Sequence, residues 1–236
     1  MRALRRNLQR KGKNVAIVCA SGISGTVYLE VGINASTTHA FYGLRTADLP
    51  ANLVVDRAIA NNLVVERVSK ADTIIWDEVS MSSRRVFELA NKIHEVLSPP
   101  CESSHLFGGK QVILVGDFLQ LRSVSNFFDL GRFVFESPLF IKAIPHRFEL
   151  KTLLRQIENE EEFVACLQEI RAGKCGDVSR KSVSSSARGN ERITCSYFFK
   201  RLQFSFSICT SCFRCLAICS HVKPMTREMS VIGNFF

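Results

Sequence analysis

A chain of 236 residues with 46% hydrophobic and 22% charged residues has room for one or two domains and apolar content for a sizeable core, which excludes a wholly disordered protein. No run approaches the ~18 consecutive apolar residues of a membrane-spanning helix, and the apolar stretch Val15–Ala20 after the basic start is shorter than a secretory signal requires. The net charge of +9 is uneven: residues 1–14 hold six Lys/Arg and no acid, residues 15–177 sixteen against twenty Asp/Glu, and residues 178–236 nine against two, so a mildly acidic body sits between basic ends, unlike a uniformly basic nucleic-acid-binding domain.

Ala3 to Gly12 is rich in Leu, Arg and Gln and favours a helix that Gly12 can stop. Val15–Cys19 is a short apolar run of buried-strand type, ended by Ser21-Gly22. Asp56 to Ser69 places Ile59, Leu63, Val64 and Val68 at helical spacing. Thr73–Trp76 is a second buried strand, ending in Asp77-Glu78. Ser82 to Leu97 is helical again, with Val86, Leu89, Ala90, Ile93 and Leu97 on one face, and Pro99-Pro100 closes it. Gln111–Val115 is a third strand, ending at Gly116-Asp117. Phe148–Leu150 is a candidate fourth, and Glu160 to Ala172 reads as an amphipathic helix stopped by Gly173. Fully apolar strands separated by helices predict an α/β doubly wound, mostly parallel sheet with helices on both faces over residues 1–177. Residues 178–236 form a Ser/Phe/Cys-rich basic tail with no clean period, expected to be irregular and poorly ordered.

In a sheet of this kind ligands bind beyond the carboxyl ends of the strands, and three strands deliver Ser21-Gly22, Asp77-Glu78 and Gly116-Asp117 there. An Asp at a strand end can hold Mg2+, and the adjacent Glu can polarise the water that attacks a γ-phosphate. The same acidic pair also fits a solvated turn or a helix N-terminus with favourable dipole placement. Gln120, just past the neighbouring strand, can sense a γ-phosphate or orient the water, and Arg155 can neutralise charge on the transferring phosphate.

Val15 to Gly25 (VAIVCASGISG), Thr38 to Phe41 (THAF), Ile74 to Met81 (IIWDEVSM), Gly109 to Leu121 (GKQVILVGDFLQL), Leu154 to Gln156 (LRQ) and Phe163 to Gly173 (FVACLQEIRAG) stand in the order found in PIF1-like helicases. The chain resembles that family, superfamily 1 DNA helicases whose first domain is RecA-like, over residues 3–175. The resemblance implies an ATP-dependent 5′-to-3′ DNA helicase acting in repair, recombination or telomere maintenance. It assigns Asp77 to Mg2+, Glu78 to water activation, Gln120 to the γ-phosphate and Arg155 to the nucleotide. Ser21, Gly22, Thr38 and His39 match positions that face single-stranded DNA. Mg2+ as cofactor, ATP as substrate, single-stranded DNA or forks as partners, a monomer without a membrane role, and a nuclear or mitochondrial location follow as expectations.

Three departures qualify this. The phosphate-cradling loop G-x-x-x-x-G-K-[ST] is absent, so Met1 is expected to fall just after it, with the first core strand missing and a sheet edge uncovered. Arg122-Ser123 replaces the usual Pro-Pro after Gln-Leu, which is expected to loosen that loop. Nothing in 178–236 resembles a second RecA-like domain, so the chain reads as an inactive fragment; a non-catalytic nucleic-acid- or protein-binding module is the alternative.

Four cysteines are scattered through the body, as suits reduced thiols, and five crowd the tail. Cys209-x2-Cys212-x2-Cys215-x3-Cys219 has the spacing of an iron–sulfur run, incomplete as a single copy. Cys195 or His221 would complete a zinc site instead, and chance spacing in a Phe/Ser/Cys-rich segment is the plainer reading. His94, His105 and His146 are expected to be surface or half-buried, Trp76 in the core, and Phe41 and Tyr42 fit packing or base stacking equally.

Overall fold

The computed structural model describes residues 1–150, 165, 168, 169 and 216–219. The chain divides into two units, Met1–Leu150 with Cys215–Phe236 and Lys151–Arg214, and every element below belongs to the first. In chain order they are α1 (Arg2–Arg10), β1 (Val15–Cys19), α2 (Gly22–Leu29), β2 (Ser36–Thr37), α3 (Thr38–Phe41), α4 (Ala51–Ile59), α5 (Asn62–Lys70), β3 (Thr73–Asp77), α6 (Arg84–Leu97), β4 (Gln111–Gly116), α7 (Phe140–Ala143), β5 (His146–Glu149) and β6 (Leu216–Cys219).

The apolar runs became strands because both of their faces are covered. The sheet runs β2-β1-β3-β4-β6-β5, with β2, β1, β3 and β4 parallel. Val18, Ile74, Trp76, Val112 and Leu114 point into the larger core under α4, α5 and α6. Ile17, Cys19, Ile75, Ile113 and Val115 point the other way, into a smaller core with Tyr28 and Ile33, against which Leu4 and Leu8 of α1 pack. This is the period-two alternation of a sheet buried on both faces. Helix α1 ends as its sequence predicts: Gly12 takes φ +73°, Gly12 N–H donates to Gln9 O (2.9 Å) and Lys13 N–H to Leu8 O (3.0 Å), a Schellman stop.

The structure corrects several expectations. The helix read across Asp56–Ser69 is two helices, because the Asn61 side chain caps α5 by accepting from Leu63 N (3.0 Å) and so breaks the run. Leu63 is consequently exposed, while Val64 and Val68 are buried. His94 is a core residue and not a surface one. Its ring meets Tyr42 edge-on, and its Nε2 lies 3.1 Å from the Tyr42 hydroxyl. Phe41 and Tyr42 are buried and packed edge to face, which settles them as core. Trp76 is buried as expected, donating to Ser82 Oγ at 3.0 Å.

At β4 the ladder continues: β6, from the tail, runs antiparallel between β4 and β5. Unpaired ladder groups on β4 accept an apolar strand from far along the chain, and Leu216-Ala217-Ile218-Cys219 is one. Most of the Glu160–Ala172 helix lies outside the described residues; residues 165, 168 and 169 are helical.

Burial, with the nearby Lys110 charge, pushes the His94 imidazole down to about 3 from 6.5. Between those values the unfolded chain binds a proton that the folded chain refuses, so stability falls as pH drops from about 6.5. Urea unfolding midpoints should therefore decline from pH 7 to pH 5, and His94→Gln should flatten that decline.

Candidate active site

The acidic pair sits where β3 stops. Asp77 and Glu78 are 8% and 4% exposed, and water therefore contributes little to stabilising their carboxylates. Protein groups replace it. Tyr28 Oη donates to Asp77 Oδ2 (2.5 Å), and the Glu78 backbone N–H donates to Asp77 Oδ1 (3.0 Å). Burial still pushes the Asp77 carboxyl upward, Tyr28 opposing it by favouring the charged form. The same desolvation, next to Asp77, raises the Tyr28 phenol and pushes the Cys19 thiol up to about 12, leaving both neutral.

Glu78 adopts φ +54°, a left-handed backbone uncommon for a residue with a side chain. It opens the 3-10 turn Val79–Met81 and turns its carboxylate toward α2. There Ser24 Oγ donates to Oε2, and Ser21 Oγ lies 3.1 Å from the same oxygen. Ser21 also caps α2, accepting from Ser24 N (3.2 Å). The turn packs so tightly on the end of β4 that a Cβ on Gly116 would lie 2.9 Å from Val79 N and 3.0 Å from Val79 Cγ1.

Just beyond Gly116, Asp117 is buried and organises the next loop. Its Oδ1 accepts from Leu119 N (3.1 Å), its carbonyl from Gln120 N (3.0 Å), and its Oδ2 lies 3.5 Å from Gln120 Nε2. Gln120 is half-buried at the strand end next to that of Asp77. In the same loop the Arg122 guanidinium lies 4.3 Å from the Phe133 ring centroid.

The sequence-predicted residues thus divide. Asp77, Glu78 and Gln120 share the carboxyl edge of β3 and β4, and Ser21 joins them through its hydroxyl. Gly22 is exposed at the start of α2. Thr38 is buried with its hydroxyl on Cys19 O (3.1 Å), so it ties α3 to β1. His39 is half-buried, and burial lowers its pKa against the opposing pull of Asp129. Arg155, Cys209, Cys212 and Cys215 lie outside the described residues, and Cys219 is in β6. Sequence reasoning missed Ser24 and Tyr28. With Ser21 they recur at i, i+3 and i+7, which places three hydroxyls on one helical face.

Among the described residues no three His, Cys, Asp or Glu side chains converge as a metal cage. A lone strand-end carboxylate still suits Mg2+, which keeps most of its water and takes its other ligands from phosphates.

A family model described as PIF1-like helicase matches residues 1–181. The human ATP-dependent DNA helicase PIF1 is 30% identical over 156 residues, covering 66% of this chain and 23% of that protein. The chain therefore spans about a quarter of the length of such relatives. The crystal structure of Pif1 helicase from Candida albicans superimposes with a TM-score of 0.64 at 24% identity, over 78% of this chain and 40% of that one. Bacteroides Pif1 bound to ssDNA gives 0.56 at 23% identity, over 80% and 45%. These structures share the fold.

Two substitutions probe the site. Tyr28→Phe removes a donor from a buried carboxylate and should cost about 1–3 kcal/mol in urea unfolding. Gly116→Ala drives a methyl into the Val79 backbone and should cost a similar ~1–3 kcal/mol by the same measurement.

Proposed function

We propose that this chain, which belongs to the PIF1-like helicase family, supplies the hydrolytic half of an ATP site in a 5′-to-3′ DNA helicase. The observation that carries the reading is the shared strand edge: Asp77 and Glu78 end β3 while Gln120, ordered by Asp117, follows the adjacent parallel β4. In this reading Asp77 holds Mg2+ through an oxygen or a bound water. When bound, Mg2+ neutralises charge on the β- and γ-phosphates. Glu78 orients the attacking water and draws its proton, the new P–O bond forms in line, and the bond to the ADP oxygen breaks. Gln120 marks the γ-phosphate. Arg155 stabilises the charge that develops on it.

Single-stranded DNA is the proposed partner, contacted through Gly22, His39 and the start of α2. Thr38 acts by fixing α3. Ser21 and Ser24 give this reading a mechanical element, because the helix start assigned to DNA also touches the water-activating carboxylate. Movement of that helix on DNA would shift Glu78. Repair, recombination and telomere maintenance are the processes such a helicase would serve.

The 236 residues contain no phosphate-cradling loop, and by themselves they should turn over little ATP. Isothermal titration with Mg-ATP checks this against a version preceded by the family's loop and first strand. The extended version should bind, and Asp77→Ala in it should weaken that binding by removing the Mg2+-holding carboxylate. Binding by neither version would overturn the ATP-site reading, and saturable binding by the 236 residues alone would place the phosphate site elsewhere.

A further inference from the structure

A groove of about 640 Å³ lies beside α3 and the α4–α5 pair, lined among others by His39, Gly43, Arg45, Arg57, Asn61 and Arg67. Arg67 is fixed from below, donating through Nε to Phe41 O (2.6 Å) and through a terminal nitrogen to Ala40 O. Arg45 and Arg57 are exposed. Among the described residues the ion pairs are Lys70–Glu66, Arg84–Glu88 and Lys92–Glu95, so no carboxylate neutralises the three groove arginines. Three guanidinium groups around one groove, in a body whose overall charge is slightly acidic, concentrate positive charge there.

The loop carrying Arg45 is joined to a second feature. Thr46 O accepts from Asn126 Nδ2 (3.4 Å), and Asn126 and Asp129 close a turn with N–H to O distances of 2.7 and 3.3 Å. Asp129 is buried. It accepts from Ser83 Oγ at the start of α6 and from Gly131 N (2.9 Å). Arg85 reaches Leu49 O, and its guanidinium lies 5.7 Å from the Phe128 ring centroid. This tethered turn holds Phe127 88% exposed beside Phe128, the rings 4.9 Å apart and nearly perpendicular. A large ring that open on an anchored turn buries little apolar area within the chain.

We propose that the two loops form a subsite for a single nucleic-acid strand, in which Phe127 stacks on a base while Arg45, Arg57 and His39 hold the adjoining phosphates. Aromatic faces accept any base, and guanidinium groups grip the backbone without reading sequence. None of Arg45, Arg57, Phe127 or Phe128 belongs to the residue set by which the chain resembles its family. The inference rests on the reading that this edge of the sheet faces single-stranded DNA, and it extends the contact beyond Gly22 and His39.

Fluorescence anisotropy on the full chain, over a salt series, tests it with two labelled strands: oligo-dT and an abasic strand of equal length. Phe127→Ala should weaken oligo-dT binding about tenfold and leave the abasic strand unchanged, since only stacking is lost. Arg45→Gln with Arg57→Gln should weaken both strands and lower the slope of log K against log salt by about 1.4, ~0.7 for each phosphate contact removed. Both sites are exposed, so urea midpoints of the variants should match the parent. If the parent binds oligo-dT but these variants change neither affinity nor slope, or Phe127→Ala weakens both strands alike, the subsite is wrong and the single-stranded DNA reading stands. If the parent binds neither strand at low salt, both fall.

Discussion

Two carboxylates shut away from water at the end of one strand set the terms for the rest of the site. A buried ionised group is costly unless donors converge on it, and Asp77 and Glu78 are nearly sealed. The chain answers from two directions. Helix α2 presents Ser21, Ser24 and Tyr28, and the backbone adds the Glu78 N–H. The two serines reach Glu78 with its backbone left-handed and its side chain toward α2. That turn in turn requires a glycine at 116, where β4 passes too close to Val79 for any side chain. Removing any one of these donors thins the hydrogen bonding of a carboxylate that water scarcely reaches.

At the same edge, side-chain packing stands where the family's motif has prolines. Two prolines after Gln-Leu would stiffen the loop by fixing φ. Here Arg122 stands at the first of those positions, and its guanidinium lies over Phe133, whose ring is stacked with Phe135 and edge-on to Phe118. Gln120 keeps its position because Asp117 orders the preceding turn by hydrogen bonds that do not involve residues 122 and 123.

Much of the fold was legible because its signals are local or strongly periodic. Val15–Cys19, Thr73–Trp76 and Gln111–Val115 read as buried strands from their short apolar runs bounded by turn residues, and Gly12 announced the end of α1. Asp77, Glu78 and Gln120 were legible for the same reason, since each follows such a run. What escaped depends on partners distant in sequence or on weak local competition. Asn61 could have sat within one long helix, and its choice to cap is worth only ~1 kcal/mol. His94 looks like any helix histidine until Tyr42, fifty-two residues away, meets it. Ser24 and Tyr28 gain meaning only once α2 lies against residues 77 and 78. The pairing of β6 with β4 spans about a hundred residues, beyond the reach of any window.

Charge distribution along the chain concealed a different distribution in space. Residues 15–177 are slightly acidic in sum, which argued against a nucleic-acid surface spread over the body. Folding sorts that sum. Asp77, Glu78 and Asp117 withdraw into the ends of β3 and β4, where hydrogen bonds hold them. Arg45, Arg57 and Arg67 gather around one groove with no acid paired to them among the described residues. A polyanion approaching the chain meets the local field of that groove and not the average, because charges farther away than about 10 Å are largely screened at ordinary salt. Net charge therefore bounds solubility and long-range steering, while the contacts that grip a strand are set by which side chains the fold leaves unpaired at one edge.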